Sequence, residues 1–308
     1  MIFPKFISQI KKGANMKKTL TFFVLFLLSS NLSFSQWEDR FQKIAETNVK
    51  QYTQPFATAF GTAMNSGGFH SASISDLFGF SISFQGMYIM VPDDQLTFKP
   101  TLPEGYVSDK PTATIFGNKG AAYAGPEGYI TMPPGIDVNK IPMAMPQIGL
   151  SFMGTEALFR YIPDIDVGGK KLGLFGLGIK HSFSRYIPLV PVDFAVQVLY
   201  STFKITDLMD VKNLAFNAHA SKSFGIIEPY VGLQFESTKM DLKYDIKGDP
   251  LSGDPSLRQD RKVNLSLDGD NSFRATLGAA LKLAVIVLNA DVSFGSQTVL
   301  GGGLSFEF

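Results

Sequence analysis

The chain has no cysteine among its 308 residues, so disulfide staples and thiolate metal sites are excluded. Its formal charge is only +1, which offers no basic surface for a nucleic-acid backbone. No stretch approaches the roughly twenty consecutive apolar residues that a membrane-spanning helix needs. What is abundant is phenylalanine (28), tyrosine (10) and glycine (29), within a hydrophobic fraction of 45%. That mixture suits strands that turn large apolar residues to lipid and small or polar ones to a lumen.

The C-terminus carries the strongest pattern. Leu304, Phe306 and Phe308 alternate with Ser305 and Glu307, the period of a strand with one apolar face. A terminal phenylalanine on such a strand reads as the insertion signal by which barrel assembly machinery places a β-barrel in the outer membrane of a Gram-negative bacterium. At the other end, Lys17-Lys18 precede an apolar run from Leu20 to Leu28 and a polar stretch closing on Ser33-Phe34-Ser35. These are the parts of a secretory signal peptide, with cleavage expected near Ser35. The first fifteen residues do not fit it, and Met16 is the expected true start.

Residues 36–68 read as an amphipathic helical segment that either plugs the lumen or lies at the periplasmic mouth. Pro55 is expected to end or kink a first helix over 37–52, and Phe56, Phe60 and Met64 form a second stripe, the plug candidates. From Phe78 the period becomes two. Residues 92–146 then interrupt it with nine prolines and six glycines, too many for lipid-facing strands. They read as a lid or as an internal loop.

Crossings are expected near 147–160, 171–184, 192–204, 212–224, 227–241, 272–283, 286–294 and 297–308. With the first strand these make nine, and a tenth is sought within 111–132, because bacterial barrels hold even strand numbers. The fold class is therefore all-β, a transmembrane antiparallel barrel of about ten strands (8–14 remain open) over residues 69–308. With Phe308 at the periplasm, 241–271 becomes an extracellular loop and the turns near 188–191 and 224–226 become periplasmic. Arg160 and Arg185, in the repeated Arg-Tyr-Ile-Pro runs, read as rim residues snorkelling to headgroups.

Three stretches carry a resemblance. They are Gly178 to Pro188; Ala220 to Gly225 with Glu228-Pro229-Tyr230-Val231-Gly232; and Asn65-Ser66-Gly67-Gly68-Phe69-His70. Over about residues 50–308 the chain resembles an uncharacterised family of outer-membrane barrels of Bacteroidetes-type bacteria. The resemblance implies a barrel but no catalytic residues. A helical segment ahead of a barrel is also distantly similar to the long-chain fatty acid transporters of the outer membrane, whose characteristic N-terminal motif is absent here.

Alternation turns Lys180, Gln197, Asn217, His219, Gln234, Glu236, Arg274, Lys282, Asn289 and Asp291 to the lumen. Such a mixed lining either passes a polar solute or closes on itself as a charge network, and ten strands favour the filled interior. His70, His181 and His219 belong to no catalytic motif, so no enzyme is expected and no catalytic residue is assigned. The acidic run Asp245, Asp249, Asp254, Asp260, Asp268 and Asp270 matches no calcium loop, and neither a metal nor a cofactor is expected. The expected partners are outer-membrane lipids, the assembly machinery and a small hydrophobic ligand, with no nucleic acid. The expected function is a passive channel or transporter for small hydrophobic compounds. A structural or surface-binding barrel with a closed lumen is the alternative, and an outer-membrane lipid enzyme the third.

Overall fold

The computed structural model describes residue 40 and residues 44–308 apart from 168, 188, 189 and 253. The start at Met16, the signal peptide, its cleavage near Ser35 and the first helical turns from Trp37 lie outside the described residues, as do two positions of the 188–191 turn.

One helix, α1 (Glu46–Met64), precedes the strands β1 (Gly79–Met90), β2 (Thr97–Phe98), β3 (Thr112–Ala113), β4 (Ala122–Gly125), β5 (Gly128–Thr131), β6 (Lys140–Phe152), β7 (Thr155–Val167), β8 (Lys170–Ser182), β9 (Asp193–Ile205), β10 (Met209–Ser221), β11 (Ile227–Ile246), β12 (Arg261–Asp268), β13 (Phe273–Leu283), β14 (Ile286–Phe294) and β15 (Thr298–Glu307). Pairing runs β1-β6-β7-β8-β9-β10-β11-β13-β14-β15 and returns to β1, a closed antiparallel barrel of ten strands. Closure pairs every wall strand on both sides, as a bilayer demands, with the ladder interrupted only along part of the β6–β7 seam. β12 lies outside the ring and pairs only the far half of β11, from Lys239 to Ile246.

The faces alternate cleanly. Along β8, Leu172, Leu174, Gly176, Gly178, Lys180 and Ser182 are buried, while Phe175, Leu177 and Ile179 are exposed. Neighbouring strands continue the outer band with Val198, Tyr200, Leu214, Phe216, Leu233 and Phe235. Large apolar side chains exposed side by side around a whole barrel belong against lipid rather than water. Leu177→Arg at mid-strand is therefore expected to cost about 2–4 kcal/mol. Equilibrium urea unfolding in phospholipid vesicles would show it, and a cost near zero would place this face in water.

Three strand assignments are corrected. The tenth strand is not within 111–132, which holds only the two-residue β3 and the small β4–β5 hairpin. It arises because 147–160 is not one crossing but the joint of two, β6 and β7, turning at Met153 (φ 51°) and Gly154 (φ 71°). Two successive positive-φ residues make a tight hairpin, and a methionine in the first of them hides the usual Asn-Gly or Asp-Gly signature. The insert accordingly ends at Asn139 rather than 146, and within 241–271 both β11 and β12 continue as paired strand.

Pro142 and Pro146, which made β6 look like loop, have a positional explanation. β6 pairs β1 along its whole length, but its ladder to β7 runs only from Gln147–Arg160 to Phe152–Thr155. Four residues apart, the two prolines point their missing donors in one direction. Since the β1 ladder passes both unbroken, that direction is the unpaired edge facing β7. On the other side of this seam β7 carries a bulge between Ile162 and Ile165, at Pro163-Asp164. Residues 140–146 and 161–167 are thus flanking strand segments with no ladder between them.

α1 is a single helix, so Pro55 does not end it. It is bonded to the insert and to the end of β12 near its N-terminal half: Asn48 Nδ2 donates to the Thr101 carbonyl at 2.8 Å and Gln54 Nε2 to that of Asp268 at 2.5 Å. Past its C-terminus the chain descends through the lumen. Ser75 and Asp76 then accept from Gly154 and Met153 at the opposite mouth, both at 3.2 Å. The segment therefore threads the barrel from the insert mouth to the C-terminal mouth, where β1 begins.

Candidate functional site

The lumen has two halves. Towards the insert it is apolar: Val49, Tyr52, Ala57, Ala59 and Met64 of α1 pack with Met87, Ile89, Leu174, Phe203, Val211 and Met240 of the wall, and with Ile115, Phe116 and Met132 of the insert, in one buried cluster. The plug candidates take distinct places within it. Met64 is fully buried, the Phe60 ring lies 4.7 Å from that of Phe203, and Phe56 packs at 6.3 Å on Phe116. Gly61 lets the helix touch the wall, since a Cβ there would collide with Thr238.

Towards the C-terminal mouth the lumen is polar, and its side chains bind the threading backbone carbonyl by carbonyl. Arg274 Nη2 donates to Thr62 O at 2.8 Å, Arg160 Nη1 to Met64 O at 2.6 Å and Gln234 Nε2 to Asn65 O at 3.0 Å. Arg160 Nη2 takes Ser66 O at 2.8 Å, Gln147 takes Gly67 O at 3.0 Å and Gln197 takes Gly68 O at 2.9 Å. The helix has no basic residue in its last turn. Its C-terminal carbonyls, the negative end of its dipole, are capped instead by two guanidiniums from the barrel wall.

Arg160 is thereby relocated from its expected rim position. It lies mid-strand, points inward and is fully buried, with its Nε on Gln147 Oε1 at 2.7 Å. No carboxylate touches it among the described residues; helix-end carbonyls and an amide take its donors. The signal was present, for Phe159 and Tyr161 on either side are the exposed residues and period two sends Arg160 inward. Gln85, Gln147, Glu156 and Glu228 were likewise missed.

The expected lumen residues are placed as follows. Lys180 pairs Glu156 at 3.2 Å, Arg274 pairs Glu236 at 2.7 Å and Lys282 pairs Glu228 at 2.5 Å. Asn217 links Gln197 (3.0 Å) to Gln234 (3.3 Å). His219 stacks on Phe69 at 4.2 Å and meets Ser71 O at 3.3 Å. Asp291 accepts from the Tyr230 hydroxyl at 2.9 Å, and Asn289 lies 3.4 Å from the same oxygen. His70 stands 2.8 Å from Glu307, whereas His181 is on the outer side, bonded to Thr155 at 2.8 Å. Leu304, Phe306 and Phe308 lie on the lipid face.

Below the plug a cavity of about 390 Å³ remains between the 67–79 segment and the wall, reaching Phe308 at the C-terminal mouth. No group of three or more metal-ligating side chains is present among the described residues. The site therefore consists of a seated plug and a dead-end vestibule.

Comparison with solved structures finds outer-membrane barrels at low similarity. A loop-deletion mutant of OmpT, an outer membrane protein of Vibrio cholerae, matches with TM-score 0.28 and 8% identity over 77% of this chain and 99% of that one. Neisserial surface protein A matches with TM-score 0.24 and 10% identity over 77% and 99%. The outer membrane channel DcaP of Acinetobacter baumannii matches with TM-score 0.21 and 10% identity over 78% and 99%. At such scores the barrel assignment stands on the strand pairing above. No curated protein matches the chain. A family model does, over residues 16–308, and the chain belongs to that family, the family of unknown function DUF6588.

Proposed function

We propose that this is an outer-membrane barrel with a closed lumen, delivered by a signal peptide cleaved near Ser35, whose work is done by the surface it carries at the insert mouth. The observation that supports this is the continuous apolar cluster joining α1, the upper wall and the insert. Such a core excludes water, so ions and polar solutes have no path through it. The surface so displayed comprises the 91–139 insert and the projecting β11–β12 hairpin. Both are cross-braced, with Arg258 of the β11–β12 connection paired to Glu127 of the insert. The reading is non-enzymatic: His70 and His219 of the lumen meet Glu307 and Asn217 rather than a hydroxyl.

A second reading, passage of small hydrophobic compounds, is favoured by the seam between β6 and β7. There the wall carries no ladder between residues 140–146 and 161–167, and the side chains just inside, Met145 and Ile162, belong to the apolar cluster. An apolar molecule dissolved in the bilayer meets the lumen core at that point without crossing a polar layer.

The test is planar-bilayer conductance of the refolded mature protein, intact and lacking residues 37–68, with insertion verified by heat-modifiable gel mobility. The intact protein is expected to be silent and the deletion to give steps. Steady conductance from the intact protein would overturn the closed reading and leave passage as the account.

A further inference from the structure

The vestibule at the C-terminal mouth has the make-up of a binding site rather than of leftover space. Its volume of about 390 Å³ falls in the range of pockets that hold small molecules, ~300–1,000 Å³. It survives although the rest of the lumen is filled, because glycines at 67, 68, 79 and 149 keep its lining thin. A Cβ at Gly149 would run into Ser81 and one at Gly79 into Ser151. Its polar groups also converge. Lys180, 3% exposed, lines it and among the described residues forms one ion pair, to Glu156.

Charge selects the class of ligand. Around the lumen Lys180, Arg274 and Lys282 each hold a carboxylate, and Arg160 holds the end of α1. Asp291 is closed off by Tyr230. Among the described residues Glu307 pairs with His70 alone, a neutral partner unless protonated, at 2.8 Å; its side chain is 35% exposed and lines the vestibule. The vestibule thus holds two carboxylates, Glu156 and Glu307, against one permanent cation, Lys180. Its mouth is lined by Leu77 and Phe78. Aromatic faces favour a cation or the apolar body of a ligand.

We infer that the vestibule binds a small organic ammonium compound, its charged nitrogen at Glu307 and its apolar part against Leu77 and Phe78 at the mouth. The site is a dead end, so it is independent of whether the barrel ever conducts.

The experiment is isothermal titration calorimetry of the full refolded chain in detergent micelles with hexylamine, beside hexanoate and hexanol as anionic and neutral probes of equal chain length. Empty micelles supply the partition blank. Hexylamine is expected to bind saturably at one site and at least ten-fold more tightly than either control. Glu307→Gln is expected to weaken it at least ten-fold. Glu307 is next to the terminal strand signal, so Glu156→Gln serves as a second variant, with a loss of about three-fold or more. Equal binding of all three probes, heat no greater than the blank, or hexylamine affinity unchanged in both variants would each overturn the assignment.

Discussion

Arg160→Ala is expected to destabilise the protein by roughly 3–5 kcal/mol, because one truncation strands three buried acceptors at once. The Met64 and Ser66 carbonyls and the Gln147 amide oxygen lie 2.6–2.8 Å from its nitrogens in a buried setting. Losing the guanidinium also uncovers the negative end of the α1 dipole. Arg160→Lys should recover only part of the loss, since a single ammonium cannot reproduce the planar fork. Urea unfolding in vesicles measures the cost, and a change within about 1 kcal/mol for the alanine variant would show that the guanidinium does not hold the plug. In the same variant the conductance assay reads whether a loosened helix end opens the lumen.

Tyr52→Ala should be comparably severe, about 3–5 kcal/mol, as for other large aromatic truncations in a packed core. Tyr52 is fully buried at the junction of α1 with the insert: its hydroxyl donates to Pro134 O at 2.9 Å, and its backbone carbonyl accepts from Ile115 N at 2.9 Å. Tyr52→Phe keeps the packing and loses the hydroxyl's bond to Pro134 O and the one it accepts from Arg40 Nη1 at 3.3 Å, so about 1–2 kcal/mol is expected. The two variants separate packing from polar anchoring. Limited proteolysis of protein in vesicles should cut within 91–139 much faster in the alanine variant. Equal cleavage rates in wild type and Tyr52→Ala would mean that the insert folds without the helix, which would weaken the sealed-lumen reading.

Both predictions concern contacts between parts of the chain far apart in sequence, and this marks the border of what the sequence discloses. Strand period is a local property. Phe175, Leu177 and Ile179 against Gly176, Gly178 and Lys180 announce a lipid face and a lumen face without any knowledge of neighbours, and so do Leu304, Phe306 and Phe308. The barrel, its all-β class and the inward direction of most lumen side chains follow from that period. Strand count was less secure, because it depends on turns, and the Met153-Gly154 turn lacks the residues that usually mark one. Proline misled in the opposite direction: at Pro142 and Pro146 it reads as loop, and only the pairing of β6 on one side explains how a wall strand tolerates it.

The seat of the plug lay beyond local pattern altogether. That Arg160 and Arg274 meet at the carbonyls of one helix end, across 96 and 212 residues of sequence, is decided by the register of β7 and β13 around the closed barrel. The same holds for the vestibule, which exists because the threading segment fills one half of the lumen and skirts the other. The sequence by itself determined which face of each strand meets lipid, because that depends on residues two apart. Only the tertiary structure decided what the inward faces touch, because ring closure and the path of residues 46–78 bring together groups that no spacing along the chain relates.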